Sequence, residues 1–109
     1  MAWIVEILDK RVEKEVTALP PDIRADMARI FDLLETHGPD ALGMPLIRSL
    51  GKGLWEVRAK GKSGIGRGIY VKVAGRRVVV VHAFVKKTQK TPARTLKLAQ
   101  ERAKGIGNG

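Results

Sequence analysis

Apolar residues recur along this chain with two different periods, and the change between them falls near Pro45. Before it, "WIVEIL" (Trp3 to Leu8) alternates loosely and predicts a strand. Asp9 then stands where it can cap a short helix from Lys10 to about Ala18, with Val12, Val16 and Leu19 on one side. "PPD" opens a second helix in which Ile23, Met27, Ile30, Phe31 and Leu34 keep helical spacing, and Gly38 in "HGP" is placed to end it. After Pro45 the period shortens. "LIRSL", "GLWEVRAK", "GIGRGIYVKV" and "RRVVVVHAFVK" read as strands, with turns at Gly51-Lys52-Gly53, in "KGKSG" and at Ala74-Gly75. The unbroken Val78–Val81 run predicts a strand covered on both faces. "TPARTLKLAQERAKG" closes the chain as a helix, with Thr91 as cap, Pro92 at the first helical position and Gly105 at the end.

The expected order is β-α-α-β-β-β-β-α. It describes an α+β fold with an antiparallel-rich twisted sheet, helices packed on one face, and basic residues of the second half on the other. No linker, repeat or low-complexity segment interrupts it, so residues 1–109 are expected to form a single domain. Apolar content of 44% with 29% charged residues is that of a globular chain. No apolar run reaches the ~18 residues that span a bilayer, and "MAWIVEILDK" lacks the features of a signal peptide. With no cysteine and only His37 and His82, neither a disulfide scaffold nor a metal site is expected. The absence of cysteine also suits a cytoplasmic location.

Charge changes the picture most. The net charge is +10, yet residues 1–46 hold five Lys/Arg against nine Asp/Glu, and residues 47–109 hold sixteen against two. A field so one-sided attracts polyanions. Its densest point is the exit of the valine strand, where Lys86, Lys87 and Lys90 crowd together although like charges repel. Arg58 in "LWEVR" and Arg67 in "GIGRGIY" fall near each other if their strands pair through the intervening turn. His82 and Lys86, four apart on one strand, share a face. Guanidiniums fork onto phosphate oxygens, lysines act as point charges, and His82 alone in the basic half has an ordinary pKa near neutrality. Duller roles stand beside these: His82 as a hydrogen-bonded core residue, the arginines as solvated strand residues, the lysines as guards of a strand edge. Trp55 lies on the opposite side of its strand from Arg58, which favours a core role.

"LWEVR", a strand carrying an arginine and then a tyrosine in "GRGIYV", and above all "HAFVKKTQKTP" before a short helix resemble the RelE/HigB toxin superfamily, and within it a phage-derived host-killing branch. The resemblance covers nearly the whole chain. It implies the toxin of a type II toxin–antitoxin pair, a ribosome-dependent mRNA endonuclease that cuts without metal or cofactor by 2′-hydroxyl attack. By the same resemblance Arg58, Arg67 and Lys87 would surround the scissile phosphate and His82 would join them as a catalytic candidate. Lys60, Lys62, Lys86, Lys90 and Arg94 would hold RNA. The implied partners are mRNA on the ribosome and a cognate antitoxin, a helix-turn-helix DNA-binding protein. The implied assembly is a monomer or a toxin–antitoxin hetero-oligomer. Two departures stand out: Glu56 occupies a position often basic in such toxins, and the tyrosine frequent near the C-terminal end is absent. They leave the proton carrier open between His82, a shifted lysine and ribosomal groups. They also leave room for related gyrase-directed inhibitors without cleavage chemistry, and for a plain RNA-binding module.

Overall fold

A computed structural model describes residues 2–87 and 89–106. In chain order the elements are β1 (Ile4–Ile7), α1 (Lys10–Thr17), α2 (Pro21–His37), one short turn of tighter helix (Pro39–Ala41), β2 (Ile47–Gly51), β3 (Leu54–Gly61), β4 (Gly64–Val73), β5 (Arg77–Val85) and α3 (Ala93–Lys104). The strands form one sheet in the order β1-β5-β4-β3-β2. The later strands pair antiparallel, while β1 returns to pair with β5 in parallel. Among the described residues no helix is long and apolar enough to cross a membrane.

Local chemistry accounts for the helix ends. The Asp9 carboxylate accepts hydrogen bonds from the backbone N–H groups of Arg11 (3.0 Å) and Val12 (3.2 Å), filling donors that have no partner inside α1. Pro21 begins α2, where its missing N–H costs nothing, and Gly38 ends it at φ 83°, a conformation open to glycine. The start of α3 differs from expectation. Pro92 is the residue before the helix and no side chain caps it. Thr91 spends its hydroxyl on Glu56 instead, a partner far away in sequence.

The sheet has two unlike faces. On the first, Val57, Ala59, Tyr70, Val78, Val80 and Ala83 meet Val12 of α1, Leu19 of the turn and Ile23, Met27, Ile30 and Leu34 of α2. Gly66 and Gly68 lie in this contact. A Cβ on Gly66 would overlap the Ile23 side chain, and one on Gly68 would stand 3.4 Å from the Met27 sulfur. The bare backbone therefore lets α2 settle close to the sheet. On the second face Leu54, Ile69 and Val81 meet Ala99 of α3. The expectation of all helices on one face is thus corrected. α1 and α2 share a face, whereas α3 crosses the other and leaves its far end open. The valine run is covered from both sides, as its lack of alternation foretold.

Candidate nucleic-acid interface

The open end of the second face is built by strand register. Arg58 of β3 pairs directly with Arg67 of β4, and Arg67 with Phe84 of β5. Alternation adds Glu56 beside Arg58, Arg48 opposite Glu56 on β2, and Lys86 just beyond β5, whose N–H bonds the carbonyl of Ile65. Two cations directly opposite each other repel. What stabilises the pair is Glu56, 4% exposed. Its carboxylate accepts from Arg48 Nη2 (3.1 Å), Arg67 Nη1 (3.3 Å) and the Thr91 hydroxyl (2.7 Å).

The two arginines are not equivalent. Arg67 is 4% exposed; its guanidinium also donates to Thr91 Oγ1 (2.8 Å) and to the carbonyl of Gln89 (2.9 Å). It therefore pins the stretch leading into α3. Arg58 is half-buried, and among the described residues its guanidinium makes no hydrogen bond or ion pair; its Nε is shut from solvent without a partner. Lys86, also half-buried, donates to the Gln89 side-chain oxygen at 3.3 Å. Loss of hydration, and then the fields of Arg67, Arg58 and Arg48, hold its ammonium below the ordinary lysine range, with Glu56 opposing. These three guanidiniums and the ammonium thus share one field.

A cleft of ≈ 240 Å³ runs from Arg67 between β5 and the start of α3, with Lys86, Lys87, Lys90 and Arg94 on its walls and Phe84 inside. Lys87, Lys90 and Arg94 are exposed. Lys60 lies outside this cleft, in a groove beside Asp26 and Arg29 of α2. Lys62 is exposed in the β3–β4 turn. Trp55 packs toward the α1–α2 core, with the Lys72 ammonium 4.5 Å above its ring.

His82 also lines the cleft, but it is tethered. Its Nδ1 lies 2.8 Å from Glu15 Oε1, and its ring stacks on Phe84 with centroids 5.0 Å apart. Arg102 Nη1 stands farther from Nδ1, at 3.4 Å, so the carboxylate is the stronger partner and fixes the proton on Nδ1. Only Nε2 remains for a bound molecule. The same Glu15 oxygen accepts the Ala83 N–H (3.2 Å), and Arg102 donates to the Val81 carbonyl (2.9 Å) and to Glu15 (3.0 Å). Beyond Ile7, where β1 has ended, these two side chains take the place of a neighbouring strand along β5.

Sequence reasoning missed Glu56, Arg48, Glu15 and Arg102 as parts of this architecture. Glu56 carried a usable signal, as one of only two acids in residues 47–109 and as an alternate neighbour of Arg58.

A family model described as phage-derived protein Gp49-like (DUF891) matches residues 14–104. No curated protein matches the chain. Among solved structures, a mutant of E. coli toxin RelE in the free state aligns with a TM-score of 0.64 at 14% identity, covering 94% of this chain and 98% of that one. That likeness is one of fold.

Proposed function

Because the chain belongs to the phage-derived Gp49-like family, a RelE-like toxin family, we propose that it is the toxin of a toxin–antitoxin pair and cuts mRNA on the ribosome. The observation that carries this reading is the gathering of Arg48, Arg58 and Arg67 around one recess, with Arg67 also bordering the cleft that holds Lys86. Among the described residues, the carboxylate bonded to these cations is that of Glu56. Such a surface suits a sugar–phosphate chain.

In the proposed step the RNA supplies its own nucleophile. The 2′-oxygen attacks the adjacent phosphorus, the bond to the 5′-oxygen breaks, and a cyclic phosphate and a 5′-hydroxyl result. One proton leaves the 2′-hydroxyl and one reaches the departing 5′-oxygen. Positioning supplies much of the rate, and cations stabilise the charge that builds on the phosphoryl oxygens. Arg58, whose guanidinium has no hydrogen-bond or ion-pair partner among the described residues, takes the phosphate, and Lys87 assists from the cleft wall. Arg67 acts as a positioning residue that sets Gln89 and Thr91. Lys86 accepts the 2′-proton, because loss of hydration and the neighbouring guanidiniums make its ammonium easier to deprotonate than an ordinary lysine's. His82 is the second candidate, through Nε2. Lys90 and Arg94 grip the strand farther along, while Lys60 and Lys62 meet RNA outside the cleft. A cognate antitoxin restrains the toxin in the cell.

Primer extension on translated mRNA after induction tests this. Cuts inside codons, lost in Arg58→Ala, are expected. Intact mRNA with arrested replication would overturn cleavage in favour of a gyrase-directed inhibitor. Lys86→Arg keeps the charge but gives up no proton, so it should bind RNA normally and cut slowly.

A further inference from the structure

Three hollows on the basic side of the molecule share lining residues, each with the next. The cleft beside α3 is bordered by Arg67. A small recess of ≈ 50 Å³ under Met44 and Pro45 is bordered by both Arg67 and Arg58. A groove of ≈ 300 Å³ between α2 and β3 is bordered by Arg58 and Pro45, and beyond them by Lys60, Asp26 and Arg29. Arg67 is common to the first two and Arg58 to the last two.

The far groove lies against α2, in the half of the chain with an acidic balance, yet both oxygens of the one acid that lines it accept hydrogen bonds. Asp26 accepts from Arg29 Nε (2.9 Å) through one oxygen and from the Lys60 N–H (2.7 Å) through the other. Those bonds, the Lys60 backbone bond foremost, hold its carboxyl below the usual range, so it stays a spent anion. Its effect is to aim Arg29. The guanidinium uses only Nε on Asp26, its side chain is 55% exposed, and among the described residues its two terminal nitrogens make no hydrogen bond. A fork of free donors beside an exposed lysine is a phosphate contact in waiting.

We infer that a single RNA strand continues out of the cleft, passes over Arg58, and is held in the α2–β3 groove by Arg29 and Lys60. The inference rests on the RNA reading above and extends it to a second holding point. Arg29 comes from a helix that the charge distribution alone would assign to the other side of the molecule.

The test compares two fluorescent oligouridylates, blocked at the 2′-oxygen so that they cannot be cut: a trinucleotide, and a strand of roughly twelve nucleotides, within the range single-strand sites span. Arg29→Gln removes the charge and keeps a donor for Asp26. It should leave the trinucleotide unaffected, weaken the longer strand, and lower the steepness of log affinity against log salt by ~0.7, the loss of one phosphate contact. Arg11→Ala, an exposed arginine on α1, serves as the control and should change neither. If Arg29→Gln binds both strands like the parent while Arg58→Ala weakens both, the second holding point is wrong and the RNA reading survives. If neither variant changes binding, both fall. Melting curves establish that each variant is folded, and Arg29→Lys, which keeps the charge, should restore the salt dependence.

Discussion

The two faces of the sheet are made by the same strands, residue by alternate residue, and they obey different rules. On the face toward α1 and α2, β3 and β4 offer Val57, Ala59, Gly66 and Gly68, small or apolar, and side chains of the helices pack against them. One residue along in each strand, the other face offers Glu56, Arg58 and Arg67. Helix α3 covers only part of it. Packing on the first face is governed by volume, whereas order on the second is governed by the pairing of charge. The fold can carry a concentration of cations because its stability is secured on the side they do not touch.

The strongest way to break this division is to change Arg67, which lies on the charged face yet is buried. Arg67→Ala leaves the buried Glu56 short of its partner and unpins Gln89 and Thr91, so we expect a loss of about 3 kcal/mol, the cost of breaking a buried pair, in denaturant unfolding, together with loss of growth arrest. A stability within error of the parent would show that Arg67 is not structural. Arg58→Ala separates function from stability. It should lower cleavage by roughly 10²–10³-fold, as for removal of one charge-stabilising donor, with a melting temperature equal to the parent's or higher, since an unpartnered cation leaves a repulsive cluster. Gly66→Ala probes the opposite face. Overlap with Ile23 should cost roughly 1–3 kcal/mol in the same unfolding assay, with RNA binding retained by the folded fraction.

The smallest effect concerns acid. Asp22 and Asp26 accept backbone N–H groups of Ser63 and Lys60, and these bonds depress both carboxyls. A depressed folded pKa adds stability above the unfolded value, near ~3.9 for aspartate, and that stability is lost as pH falls through the folded value. Melting temperature should therefore drop as pH falls below the unfolded range, and less steeply in Asp26→Asn.

The order of elements was legible because it rests on local signals. The period of apolar residues located the five strands and three α-helices but not the short turn at Pro39–Ala41, and Asp9, Pro21 and Gly38 marked helix ends from their own chemistry. What could not be read was depth. Alternation put Arg58 and Arg67 together on one face, but nothing local says that one is half-buried and the other almost sealed by a loop that returns from residues 89–91. Thr91 looked like a cap for the same reason: its competing partner, Glu56, lies 35 positions away. The side taken by α3 was equally invisible, since Leu96, Ala99 and Ala103 define an apolar stripe without naming the face that receives it.

The bond between Glu15 and Arg102 joins positions 87 apart in the chain. Without that arginine the Val81 carbonyl on the margin of β5 has no donor, although Glu15 still takes the Ala83 N–H. A shortened polypeptide ending ahead of it would present that raw backbone acceptor to other molecules. Helix α3 therefore finishes, with one side chain, a margin of the sheet that its strands leave open.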